Sequence, residues 1–332
     1  METSYCEHSL KFQDFLIRSL RLCYTLSLYR RQNNEKACGI KLKIAIVTDS
    51  TSYLTEKQYK QNSIYKLPLS VIIDNTAYLE EIEIRNEEFF EKIAGMETLP
   101  TSSQPTTGQI ITLFNELSKE YDAIISIHLS SGISGTFANV VSVANMMETI
   151  TVYPFDSELS CAAQGYYVLE AARLAKNGYT VEEIFQVLCN MRKTMKAYFL
   201  VDDLDHLVRG GRLSNGSAMI GSLLKIKPIL FFENKQIVVF EKIRTTKKAL
   251  KRIEQLLTED VIKGYPIVAT IIQCNAKEQA ANWEKELRQE YPKVRFETSY
   301  FGPVIGTHLG EGALGMTWVE DQTKIETVLN KQ

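Results

Sequence analysis

The chain has 332 residues, 45% hydrophobic and 23% charged, proportions that suit a globular protein of about two subdomains with room for an internal cavity. Lys plus Arg number 38 against 40 Asp plus Glu, a formal charge of -2, so no overall field attracts nucleic acid or an anionic membrane and any anion must be bound locally. Six cysteines (6, 23, 38, 161, 189, 274) form neither a CxxC pair nor a disulfide spacing, four scattered histidines assemble no zinc pattern, and no apolar run reaches the roughly 20 residues that span a bilayer. Free thiols, no metal, no stable membrane insertion and a cytoplasmic location are expected, the start showing no signal-peptide cleavage pattern.

Residues 1–40 differ from the rest and read as an N-terminal extension. Phe12, Phe15, Leu16, Leu20 and Cys23 recur at helical spacing beside Arg18, Arg21, Arg30 and Arg31, which fits a basic amphipathic helix. A disordered extension or a mis-assigned start is the favoured alternative.

From Lys43 the pattern is α/β. Lys43–Thr48 reads as a buried strand, and Thr55 with Gln58 forms a capping box that opens a helix. Leu67–Ile73, Ala123–His128 and Thr151–Phe155 are further β-rich runs, separated by helical stretches near Asn86–Ala94 and Gly108–Lys119, an alternation that favours a mostly parallel sheet. A helix follows Gly135, and Thr180 with Glu183 caps another that runs to about Met195. Beyond Ala197 the grain changes to a strand, a helix to Arg209, a Gly-rich loop, and strands Ile229–Phe232 and Gln236–Ile243 joined by an Asn234-Lys235 turn. Helices at Thr246–Thr258 and Gln279–Gln289 alternate with strands at Ile267–Ile272, Val294–Tyr300 and Ala313–Trp318. Residues 41–195 therefore read as an N-terminal α/β subdomain and 196–332 as a C-terminal α+β subdomain.

Five polar or Gly-rich stretches interrupt this pattern: TDSTS (48–52), TSSQPT (101–106), HLSSGISGT (128–136), RGGRLS (209–214) and GTHLGEG (306–312). Three follow a predicted strand, and loops at the carboxyl ends of strands in an open α/β sheet converge on one crevice. In the 130–136 loop, Gly132 and Gly135 allow close backbone approach and Ser134 stands where a helix begins, so amides and a hydroxyl could serve a carboxylate or phosphate. Ser134 equally reads as a plain N-cap. Thr101, Ser102 and Ser103 before Pro105 fit either a hydroxyl cluster on the crevice or a structural turn. Arg212 and His308, taken singly, read as a solvated charge and a structural histidine. Asp202, Asp203 and Asp205 open a helix, where carboxylates complement the helix dipole, and capping is preferred over a magnesium site. No GxSxG or GxxxxGK[ST] motif occurs.

Taken in order, IVTDSTS, LPLSVIID, TSSQPTTG, IHLSSGISGT, FDS (155–157), LVRGGRLS, LLKIKPIL and GTHLGEGALG resemble the DegV family over Lys43 to the C-terminus. That resemblance implies a FakB-type fatty-acid-binding subunit, a carrier with no catalytic residue and no cofactor of its own. It would hold a long-chain fatty acid in a lipid tunnel between the two subdomains and present the carboxylate to a separate fatty acid kinase, to which ATP and magnesium belong. The resemblance assigns carboxylate binding to Ser102 and Ser134, completes the network with Arg212 and His308, gives Gly135 and Ser103 supporting places in the loops, and assigns kinase contact to Arg244 of IRTTKK. Two departures stand out: Ser102 replaces the usual threonine, and Glu311 replaces a common proline and is expected to bring a carboxylate near the carboxylate site. Two alternatives remain open. One is an enzyme acting on a small acyl or phosphorylated substrate, with Ser134 as nucleophile and His308 as base. The other is a lipid-sensing regulatory module that acts through the surface bearing Arg244.

Overall fold

The computed structural model describes residues 42–96, 98–214 and 226–325, so the extension at 1–40 and part of the LLKIKPIL motif lie outside it. Strands β1 (Ile44–Asp49), β2 (Ile64–Leu67), β6 (Ala123–His128) and β7 (Thr151–Asp156) form a parallel sheet in the order β2-β1-β6-β7. Both of its faces are covered, which is why its strands are apolar throughout. Alternate side chains go to opposite cores. Ala45, Val47 and Ile124 meet helices α3 (Thr107–Leu117) and α4 (Thr136–Ala144) through Ile110, Phe114 and Val140. Ile44, Ile46, Ile125 and Ile127 meet α1 (Glu56–Asn62), α5 (Cys161–Lys176) and α6 (Val181–Thr194). The capping boxes read at Thr55/Gln58 and Thr180/Glu183 are both made.

A six-stranded mixed sheet follows, ordered β10-β9-β8-β13-β11-β12. Its strands are β8 (Lys196–Leu200), β9 (Ile229–Glu233), β10 (Gln236–Glu241), β11 (Ile267–Gln273), β12 (Arg295–Tyr300) and β13 (Leu314–Glu320). One face is covered by α8 (Thr246–Val261) and α9 (Lys277–Glu290), through Ile253, Leu257, Trp283 and Leu287. Helix α5 reaches the other face, where the Tyr166 hydroxyl bonds the Thr270 hydroxyl at 2.6 Å. The β9–β10 turn has positive φ at Asn234 (48°) and Lys235 (72°), the primed-turn geometry that matches strand twist.

Two sequence expectations need correction here. The run Leu67–Ile73 is two strands in two sheets, because Pro68 has no N–H to continue a ladder. After it, β3 (Ser70–Ile73) joins β4 (Thr76–Leu79) and β5 (Thr101–Ser103) in a small antiparallel sheet, ordered β4-β3-β5, that the sequence pattern does not announce. The stretch expected as a His-bearing glycine loop is mostly helix: α10 spans Pro303–Leu309 and carries His308 in its last turn. Helices α2 (Asn86–Ile93) and α7 (Asp205–Arg209) complete the set used below. Among the described residues, no helix is long and apolar enough to cross a membrane and no group of His, Cys, Asp and Glu could hold a metal ion.

Candidate functional site

The five polar stretches do not all converge. TDSTS is consumed by a buried network at the end of β1. Asp49 accepts from Leu129 N–H (2.9 Å) and the Thr51 hydroxyl (2.6 Å) and pairs with His128 Nδ1 (3.0 Å), whose Nε2 bonds the Ser126 hydroxyl at 2.6 Å. Burial pushes the Asp49 pKa up, but the bonds and charge of His128, with Thr51 and Leu129, hold it below the ordinary carboxylate value. This Ser–His–Asp chain is fully buried, lines neither of the cavities described next, and ties β1 to β6.

The other four stretches meet. Ser102 on β5, Ser134 in the loop before α4, Arg212 after α7 and His308 on α10 all line one cavity of about 260 Å³, with Ser103, Gln104 and Gly135 on its rim. The rest of the wall is apolar, including Leu69, Leu129, Ile133, Leu207, Ile237 and Leu309. A second cavity of about 50 Å³, lined by groups such as Phe199, Phe232, Phe301 and Met316, shares Ile133, Ile237, Ile305 and Leu309 with the first. The two spaces adjoin along this common apolar wall.

Local geometry sets what each polar group can offer. Ser102 is placed by pairing of β5 with β3, opposite Val71, and its Oγ lies 2.7 Å from His308 Nε2. His308 Nδ1 is buried with no partner among the described residues, and a Cβ on Gly210 would stand 2.5 Å from it. A proton on Nδ1 would be a buried unpaired donor, so the neutral ring carries its proton on Nε2 and donates to Ser102. Ser102 then has its own proton free to donate. Burial first, and then the Arg212 and His206 charges, hold the His308 pKa down at about 3, so the ring stays neutral.

Ser134 is not the N-cap of α4; Gly135 is. Ser134 Oγ accepts from Thr136 N–H (3.2 Å) and bonds the Thr136 hydroxyl (2.9 Å), which leaves a hydroxyl proton available when Thr136 acts as that donor. Four backbone amides of the loop ahead of α4 are already used. Ile133 and Ser134 N–H groups go to Ser130 O, Gly132 N–H to Ser130 Oγ, and Ser131 N–H to Asp156, so hydroxyls rather than these amides remain for a ligand. The loop is held from outside by the β9–β10 turn. Ser130 Oγ donates to Lys235 O at 2.6 Å, and Lys235 Nζ pairs with Asp156 at 3.0 Å.

Arg212 is half-buried. Its Nε donates to Ile133 O (3.2 Å) and its Nη1 to Gly210 O, and burial alone lowers its pKa. Among the described residues no carboxylate pairs with it. Glu311 does not approach this cavity; it is exposed, accepts from Asn275 Nδ2 at 2.5 Å, and lines a separate surface groove. The dyad needed by a Ser134 nucleophile is absent from this arrangement, since the partner of the imidazole is Ser102. Arg244 lies in the loop between β10 and α8, exposed, with Lys242, Lys247 and Lys248 exposed nearby in sequence.

Sequence reading misses the apolar wall, Gln104, whose Oε1 would lie 2.1 Å from a Cβ on Gly135, and the anchoring of α10 taken up below. Gln104 alone carries a signal, as the polar residue before Pro105 in TSSQPT.

Comparison with known proteins agrees with this layout. The sequence profile of the DegV family, described as uncharacterised proteins, matches residues 43–321. Protein DegV of Bacillus subtilis is 55% identical over 278 residues, covering 83% of this chain and 99% of that one. The crystal structure described as DegV, a fatty acid binding protein from Bacillus subtilis, superimposes with a TM-score of 0.80 at 54% identity, covering 84% of this chain and 100% of that one. A fatty acid binding DegV family protein from Streptococcus agalactiae gives 0.79 at 34% identity, with 84% and 99% covered. With a parallel sheet followed by a mixed sheet, four motif loops on one cavity and this degree of identity over nearly the whole of its relatives, the chain belongs to the DegV family.

Proposed function

We propose that this protein binds a long-chain fatty acid and presents its carboxylate to a separate ATP-dependent kinase for acyl-phosphate formation, itself acting as a carrier. The observation that carries the binding half is Arg212: a half-buried guanidinium without a carboxylate partner among the described residues, at the polar end of a cavity whose remaining walls are apolar. A buried cation needs a counter-charge. A ligand carboxylate there would take charge-assisted bonds from Arg212 and hydroxyl protons from Ser102 and Ser134, while neutral His308 holds Ser102 in its donor orientation.

The acyl chain would run along Ile133, Ile237, Ile305 and Leu309 into the second cavity, displacing the side chains that separate the two spaces. Each methylene removed from water contributes about 0.8 kcal/mol, so the chain supplies affinity and the polar end offsets the desolvation of the carboxylate. The relatives described as fatty acid binding support this choice of ligand. For the kinase half, support comes from the motif resemblance and from the exposed basic loop at Arg244, suited to docking an acidic surface.

Titration of the delipidated protein with palmitate tests the first half: saturable binding that weakens in Arg212→Ala is expected, and equal binding by both proteins would remove Arg212 from the site. For the second half, palmitate-loaded protein with a cognate kinase and ATP is expected to yield acyl phosphate. Neither protein is expected to do so alone; product formed without the kinase would contradict the carrier role.

A further inference from the structure

Glu80 follows β4 and is completely buried, yet it lines neither cavity. Its Oε1 accepts from the Val304 backbone N–H at 2.7 Å and from the Tyr53 hydroxyl at 2.8 Å, and its Oε2 accepts from the Ser50 hydroxyl. The Tyr53 oxygen in turn accepts from Ile305 N–H at 3.3 Å. Pro303, the first residue of α10, has no N–H, so Glu80 and Tyr53 together hold the first two backbone donors of that helix. The same helix delivers Val304, Ile305, His308 and Leu309 to the cavity wall, with His308 one turn beyond Val304 on the same face. A short helix is thereby pinned at both ends, by Glu80 at the first turn and by the His308–Ser102 bond at the last.

Among the described residues no cation is hydrogen-bonded to Glu80, while the Lys66 and Arg85 charges act on the neighbouring Glu81. The groups facing Glu80 are Ser50 and Tyr53 from the turn after β1, Tyr59 of α1, Cys161 of α5, Tyr300 of β12, the Val304 N–H of α10, and Glu81 itself, which accepts from the Tyr300 hydroxyl at 2.9 Å. Burial raises Tyr53, Tyr59, Tyr300 and Cys161, so these remain neutral, and burial also raises Glu81. A carboxylate this deep is costly to keep unless its acceptor capacity is used.

We propose that Glu80 is a positioning residue for the carboxylate site: in its ionised form it holds the first turn of α10 and so sets where His308 meets Ser102. The proposal rests on the fatty-acid reading given above. Burial brings the Glu80 pKa up to about 7, so the ionised form prevails above that value and is lost as pH falls through it. Ligand affinity should follow.

Palmitate dissociation constants of delipidated wild type and Glu80→Gln, measured at about pH 8 and about pH 6, test this. The expected variant-to-wild-type ratio is about five at the higher pH and approaches one at the lower, because wild type then also carries a neutral group at this position. Taking the ratio cancels the titration of the fatty acid itself. A ratio that is the same at both pH values overturns the proposal. Imidazole nitrogen shifts of His308, read by NMR without ligand, are expected to differ between the two proteins at the higher pH, and identical shifts also overturn it. Wild type that binds no palmitate would instead overturn the fatty-acid reading, leaving the NMR comparison to decide on Glu80. If Glu80→Gln does not fold, Tyr53→Phe serves. It removes one donor from the ionised carboxylate, so the midpoint of the pH profile should move upward, and an unmoved midpoint contradicts the role.

Discussion

At the residue scale, the protonation of His308 decides how the polar groups divide their work. A neutral ring with its proton on Nε2 makes Ser102 an acceptor for His308 and a donor for the ligand. Arg212→Ala and Ser134→Ala are each expected to weaken palmitate binding by about 1 to 3 kcal/mol, the cost of leaving a buried anion short of a donor. Ser102→Thr keeps the hydroxyl and should be near neutral; calorimetric titration of the three variants checks this, and silence from both alanine variants would dissociate these residues from the site. The same ring bears on stability. Its folded pKa of about 3 lies below the ordinary 6.5, so the unfolded chain takes up a proton that the folded chain refuses as pH falls. Stability is therefore present above pH 6.5 and lost progressively below it. His308→Gln should flatten the decline in Tm on that acid side, and an unchanged slope would mean the ring is open to solvent. Hydroxyls, an arginine and a histidine in Gly-rich segments are legible in sequence. Leu69, Leu129 and Ile237 are not, because an apolar residue facing a cavity carries the same pattern as one facing the core.

At the scale of elements, the least legible part of the site is α10. Gly306 and Gly310 look like breakers, but Gly306 lies inside the helix, where a Cβ would stand 3.1 Å from the Phe90 ring of α2. Only Gly310, at φ +72°, ends it. Glu80 is equally hidden, since an acidic residue after a short strand reads as a solvated turn. The β9–β10 hairpin, by contrast, follows from its turn residues, and what the sequence cannot announce is that its tip clasps the Ser134 loop. A Cβ on Gly132 would meet the backbone oxygen of Lys235 at 2.2 Å, whereas one on Gly135 would meet the movable end of Gln104. Gly132→Ala should therefore cost about 1 to 3 kcal/mol of stability and speed ligand release, with Gly135→Ala milder in both. Denaturant unfolding and stopped-flow displacement of palmitate would show it; the reverse order of the two variants would contradict the clasp.

At the scale of the whole molecule, a doubly covered parallel sheet and a mixed sheet are legible because all of their strands but β2 are runs of five to seven residues. The three-stranded sheet that carries Ser102 is not, its strands being three or four residues each. The cavity draws on both halves of the chain, with Ser102 and Ser134 from one and Arg212 and His308 from the other, while Arg244 stands on an exposed loop outside the cavity lining. Arg244→Ala should leave palmitate binding unchanged and lower acyl-phosphate formation with the kinase, a defect that deepens with ionic strength as the remaining charge contacts are screened. Wild-type phosphorylation by that variant would return the loop to ordinary solvated surface. The most direct measurement is native mass spectrometry of the full chain purified from a bacterial host, followed by organic extraction and a thermal melt with added palmitate. One fatty acid per chain, released by the solvent and raising Tm when restored, is the expected result. A protein that carries no lipid and whose Tm does not respond to palmitate would contradict fatty-acid binding outright.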